Sequence, residues 1–210
     1  MKLEANVNNK YTYVCNQIMT RTYTLKRRAE QQAQTRQRIV EAAVELHSSI
    51  GPARTTISMI ADRAGVQRHT FYAHFPDERS IFAACSGLVE ERDPMPDAGP
   101  WAAIEDWRER LRVGLGAIYG WYERNAELLF NVLRDVEVHA LARETAQTRF
   151  GPFVARYHKI LGEKLNAKQQ PMLNLALSYF TWRTLVREGG LKSDAAAAAM
   201  VQAIDCADNA

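Results

Sequence analysis

The chain has 210 residues, 47% hydrophobic, 24% charged and 9% aromatic, a composition that suits a soluble globular protein and excludes collagenous, low-complexity and disordered classes. No run of about eighteen apolar residues is free of charge, so no membrane-spanning helix is expected, and the N-terminus lacks the apolar core and cleavage site of a secretory signal. Cys15, Cys85 and Cys206 lie far apart without C-x-x-C spacing, which argues against a disulfide framework or structural zinc and makes a reducing cytoplasm the expected compartment. The net charge of +3 is uneven: the first 40 residues carry +6 and the remaining 170 carry −3, so only the N-terminal end is suited to a polyanion.

Residues 1–18 are polar and Asn-rich, with no helical period. They are expected to lack stable structure, and residues 1–26 together to form a flexible basic extension. From about Arg27 onward, Ala33, Ile39, Ala42, Ala43, Val44 and Leu46 fall at spacings of three and four. That pattern predicts a helix ending near Ser49, before Gly51-Pro52. Thr55-Thr56 offers a hydroxyl cap for a short helix with an apolar face of Ile57, Ile60, Ala61 and Ala64, and Gly65 stops it. Val66 lies in the turn that follows. A second short helix runs from Gln67 or Arg68 to His74 and ends at Phe75-Pro76. Asp77 can cap a helix over about 77–92.

Residues 93–100 hold three prolines and a glycine, which predicts a linker over 94–100 between a domain at 27–93 and another at 101–210. Beyond it the spacing is helical over about 104–122, 128–136, 139–164, 168–187 and 193–206, with a possible kink at Gly151-Pro152. About nine helices and no alternating strand pattern make the expected fold class all-α.

The segment 54–75, RTTISMIADRAGVQRHTFYAHF, has the makings of a helix-turn-helix: two short helices joined by a tight glycine turn. Ala61 and Ala64 are small where the helices must cross, while Ile57, Ile60, Val66 and Phe71 can lock the angle. Gln67, Arg68, His69, Thr70 and His74 give the second helix a dense hydrogen-bonding face. With these residues in view, the stretch from about 35 to 82 resembles the N-terminal DNA-binding domain of the tetracycline-repressor-like (TetR/AcrR) transcriptional regulators. Gly51, Thr56, Ile60-Ala61, Ala64-Gly65-Val66, Tyr72 and Phe75 carry that resemblance.

It implies that Thr56 caps the second helix beside a phosphate. Gln67, Arg68, His69 and Thr70 lie on the recognition helix, and Tyr72 and His74 reach phosphate. Where the family commonly places a lysine, this chain has Glu78 followed by Arg79, so either Arg79 takes that contact or it is absent. The chemistry agrees: Arg68 can pair bidentately with a guanine edge, and Gln67 either reads adenine or caps its helix. Lys26, Arg27 and Arg28 precede the first helix and suit the adjacent minor groove as a basic arm.

No P-loop, dinucleotide fingerprint, zincin motif or nucleophile elbow is present, so no enzyme activity and no cofactor is expected. His139 and His158 have no partners at metal-ligand spacing, so no metal site is expected. The C-terminal part is rich in aromatic rings, which form either ordinary core or an apolar pocket between helices. Trp107, Leu111, Tyr122, Phe130, Phe153, Tyr157, Asn174 and Trp182 are the candidate ligand residues, for a hydrophobic or aromatic effector. Leu173, Leu177, Phe180, Leu185, Met200, Val201 and Ile204 suggest a homodimer through the last two helices, as the resemblance also implies.

The expected function is therefore a homodimeric, ligand-responsive regulator that releases a pseudo-palindromic duplex DNA operator on binding a small molecule. The alternatives are a non-specific or architectural DNA-binding helical protein without an effector, or a small-molecule-binding helical protein.

Overall fold

The computed structural model describes residues 7–208, with side chains described from Leu25 onward. Among these residues all regular structure is helical. The elements are α1 (Val7–Ser49), α2 (Ile57–Ala64), α3 (Arg68–His74), α4 (Glu78–Arg92), α5 (Trp107–Arg124), α6 (Ala126–Asp135), α7 (Ala140–Leu161), α8 (Gln169–Ala176), α9 (Tyr179–Arg183) and α10 (Ser193–Cys206). Short 3-10 turns sit at Pro52–Arg54 and Gly99–Ala103, and a π-helical turn at Thr184–Glu188 follows α9.

Two cores form. The first joins Ile39, Val40, Ala43, Ile60, Ala61, Phe71, Phe75, Ile81 and Phe82 from α1 to α4, and takes in Ala142 from the start of α7. The second gathers the inward faces of α5, α7, α8, α9 and α10 around Leu111, Leu115, Tyr119, Tyr122, Leu161, Leu173, Trp182 and Ile204. Where the second core buries a charge it satisfies it: Arg110 donates to the carbonyls of Ile104 at 2.8 Å and Ile160 at 3.2 Å and pairs with Glu163.

Two expectations need correction. The first helix begins at Val7 and not near Arg27, so residues 7–26 are not an extended arm; residues 1–6 lie outside the described residues. No glycine or proline occurs before Gly51, so nothing in the sequence breaks the helix N-terminal to the packed part. The helix expected over 168–187 is instead two helices and a π turn. The chain leaves helical geometry at Ser178 (φ −74°, ψ 128°). The Tyr119 hydroxyl donates to the Ala176 carbonyl at 2.9 Å, and that of Tyr122 to the Leu177 carbonyl at 2.7 Å. Two buried phenols from α5 thus serve carbonyls at the break, where an unpaired buried acceptor would be costly. Among the described residues the helix count is therefore ten where about nine are expected. Pro152, by contrast, is accommodated inside α7.

Candidate nucleic-acid interface and junction cavity

The α2–α3 pair is built as a rigid hairpin. The Thr56 hydroxyl accepts the Met59 N–H at 3.2 Å and caps α2. Gly65 closes the helix with φ 66°, a conformation that only glycine adopts without strain. Val66 tucks against the core, and Phe71 and Phe75 are fully buried beneath α3. Asp77 accepts the Ser80 N–H at 2.7 Å and starts α4. With its apolar side so anchored, α3 turns Gln67, Arg68, His69 and Tyr72 to solvent, with Thr70 and His74 half-buried beside them. Gln67 stands at the cap position of α3, but its side chain makes no capping hydrogen bond. The Arg68 guanidinium reaches the Tyr72 hydroxyl at 3.4 Å, one helical turn on.

Arg27 and Arg28 are exposed on α1. In this helix they do not form a minor-groove arm, because a helix about 10–12 Å across exceeds a groove about 6 Å wide. Arg79 pairs with Glu144 of α7, and the Glu78 carboxylate lies 3.6 Å from His139 Nε2. The start of α4 is therefore tied to the C-terminal domain, and Arg79 does not stand free in the place of the expected lysine.

A polar clamp joins the domains at the other end of α1. The Asn131 amide donates to the Ser48 carbonyl at 2.6 Å, and Arg134 to the Ile50 carbonyl at 2.9 Å. The Asp135 carboxylate accepts the Ala53 N–H at 2.8 Å and pairs with Arg134 at 2.7 Å. Burial works to raise the Asp135 carboxyl, but Arg134 and the Ala53 N–H outweigh it and hold it below the ordinary carboxylate range. Gly51 passes so close, at φ 91°, that any β-carbon would run into Arg134 and Asp135. Sequence reading missed this clamp; its one local trace is the polar pair Asn131 and Asp135 at i, i+4 on an otherwise apolar helix face.

Beside the clamp lies a mostly apolar cleft that opens to solvent. Val44 and His47 of α1, Phe82, Cys85 and Val89 of α4, Leu128 and Val132 of α6, and Ala146, Phe150 and Phe153 of α7 line it. Its charged groups are Glu90, Asp93 and Arg149, and the Arg149–Glu90 ion pair spans 2.8 Å. Of the eight expected ligand residues, Phe153 alone lines this cleft.

The others are placed elsewhere. Leu111 and Trp182 are fully buried core. Tyr122 is taken by Leu177, and Tyr157 donates to the Pro96 carbonyl at 2.7 Å. Trp107 carries the Arg108 guanidinium 4.3 Å above its ring, Phe130 that of Arg183 at 4.8 Å, and Asn174 is exposed. These rings follow helical periodicity because they build the core. The cleft instead needs α1 and α4, which sequence spacing assigned to another domain. Among the described residues no group of three or more His, Cys, Asp or Glu is arranged to hold a metal, and no helix is long and apolar enough to cross a membrane.

Residues 39–85 match the family described as bacterial regulatory proteins, tetR family. The transcriptional regulator SrpR of Pseudomonas putida is 33% identical over 165 residues, 77% of this chain and 76% of that protein. The chain belongs to the TetR family. A second relative, the HTH-type transcriptional regulator AcrR of Shigella flexneri, is 40% identical over 67 residues, which span 31% of each chain. A TetR-like regulator of Rhodococcus sp. RHA1 shares the fold, with a TM-score of 0.57 at 22% identity over 81% of this chain and 93% of that one. As a TetR-family transcriptional regulator the chain has its DNA-binding helix-turn-helix in α2 and α3, inside the matched residues, and an all-helical C-terminal domain behind it.

Proposed function

We propose that this regulator is a homodimeric, ligand-responsive repressor whose effector is a largely apolar small molecule held in the cleft between α1, α4, α6 and α7. The observation that carries the reading is the shared wall. An occupant touching Phe82 and Val89 on one side and Val132 and Phe150 on the other contacts both domains at once. It can therefore favour one domain arrangement over another, which is the condition for ligand-dependent DNA affinity. The apolar lining favours an uncharged or weakly polar compound. Gln67, Arg68, His69 and Thr70 read base edges, while Thr56, Tyr72 and His74 hold phosphates.

For the dimer, the expected apolar set needs revision. Leu173, Leu177, Met200 and Ile204 are buried within the protomer and are not available to a partner. Of that set Phe180 is exposed and Leu185 and Val201 are half-buried; Leu175 and Leu191 join them with exposed Ala195, Ala198 and Ala199 on α10, smooth enough for close helix packing. Two copies joined there would set their recognition helices on one face, about 34–36 Å apart for successive major grooves.

The test combines footprinting on the DNA flanking the gene with binding of an uncharged naphthalene fluorophore. Protection of a pseudo-palindrome, its release by the fluorophore, and loss of fluorophore binding alone in Ala146→Trp support the reading. Operator binding that no apolar compound alters favours a DNA-binding protein without an effector.

A further inference from the structure

From Leu25 to Arg38 the helix α1 leaves the packed body, and among the described residues its one ring contact is Arg36 over Phe75. Thirteen of these fourteen residues are exposed and Thr35 is half-buried; burial begins at Ile39. At 1.5 Å per residue this described overhang is about 20 Å long. It carries Lys26, Arg27, Arg28, Arg36 and Arg38 against Glu30 alone. Among the described residues none of these five cations is in an ion pair; the acid next along, Glu41, is taken by Arg92. Between Leu25 and Arg38 the apolar residues are Leu25, Ala29 and Ala33, one large side chain and two alanines, too little for another helix to make a core against.

Its direction follows from two contacts. The C-terminal end of α1 is clamped to α6 of the C-terminal domain through Ser48 and Ile50, so the N-terminal end points away from that domain. The Arg36 guanidinium lies 4.6 Å above the Phe75 ring. The overhang therefore leaves the DNA-binding domain beside Phe75, the residue that caps the C-terminal end of α3.

We infer that this helical overhang is a second DNA-binding surface, which lies across the duplex outside the helix-turn-helix site and neutralises flanking phosphates without reading bases. The inference rests on the DNA-binding reading above and deepens it. A cationic rod whose one large apolar side chain is Leu25 matches the phosphate backbone, whose charge density makes counterion release the driving force. It predicts a footprint longer at each end than one helix-turn-helix per half-site requires.

The test uses the full chain and duplexes that it selects from a random pool. The variant Arg27→Gln/Arg28→Gln is compared with Arg27→Lys/Arg28→Lys, with circular dichroism as the check on helicity. Loss of two phosphate contacts should reduce the slope of log affinity against log salt by about two in the glutamine pair. Hydroxyl-radical protection should be lost at the flanks, the ranking of selected sequences should persist, and the lysine pair should behave as the parent. An unchanged slope and footprint in a helical glutamine variant overturns the inference while leaving the helix-turn-helix reading intact. So does sedimentation showing that the overhang joins copies of the chain in the absence of DNA. A full chain that selects no duplex overturns both.

Discussion

The Asp135 carboxylate at the end of α6 accepts the backbone N–H of Ala53, 2.8 Å away and 82 residues earlier in the chain. That bond holds the turn after α1 against the C-terminal domain, and Arg134 holds the carboxylate in turn. Removing the carboxylate leaves a part-buried amide and guanidinium without their partner. Asp135→Ala should cost about 2–4 kcal/mol, read as a drop in urea midpoint, and should speed hydrogen exchange at Ala53. Asp135→Asn, which can still accept the amide proton, should cost less. Equal effects of the two would show that the charge pair, and not the amide bond, holds the turn.

His47 supplies a pH signature. Burial first, and then the nearby charge of His139, lower its pKa from 6.5 to about 4, with Asp135 opposing. Its ring lies 3.6 Å from the Cys85 thiol, which burial pushes up to about 12, so both groups are neutral at neutral pH. The folded chain then binds fewer protons than the unfolded chain between pH 4 and 6.5. Stability is fully present above that window and falls as pH drops through it, by up to about 3 kcal/mol. His47→Leu should flatten this acid slope in urea unfolding measured across the window; a slope of undiminished size would place its origin in other groups.

Arg68 and Tyr72 touch on the face of α3 but differ in role. Arg68→Ala should relax preference at one base position by about 1–3 kcal/mol. Tyr72→Phe should weaken binding to all sequences alike, since a phosphate contact carries no base information. Because the guanidinium and phenol lie 3.4 Å apart, the double variant should lose less than the sum of the two. Binding to a panel of mutated operators separates these outcomes, and an unchanged ranking for Arg68→Ala would remove it from base reading.

The α8–α9 break offers a stability test away from DNA. Tyr119→Phe and Tyr122→Phe each strip a buried carbonyl of its donor, at an expected cost of about 1–3 kcal/mol. Equilibrium unfolding of the two variants measures it. Neutral substitutions would mean that the backbone alone holds the break.

The helix-turn-helix was legible because its signals are local. A Thr56 cap, a left-handed Gly65 and a buried Phe71 and Phe75 each act within one or two turns of chain, and side-chain chemistry alone assigns polar residues to the exposed side of α3. All-helical architecture followed from spacing for the same reason. The break at Ser178 was not legible, because the donors beside it come from Tyr119 and Tyr122, more than fifty residues away. Nor was the identity of the cleft: periodicity marks a ring as inward-facing but cannot say whether it meets other side chains or empty space. Trp182 and Leu111 meet side chains, while Phe153 meets the cleft. The start of α1 was misjudged through the opposite error, since a polar sequence without breakers can remain helical where it has nothing to pack against. What the sequence by itself determined was therefore each short-range choice of cap, turn and face. Only the tertiary structure decided which distant groups complete them, because the Asp135–Ala53 bond and the cleft between α4 and α7 exist only once the two cores are docked.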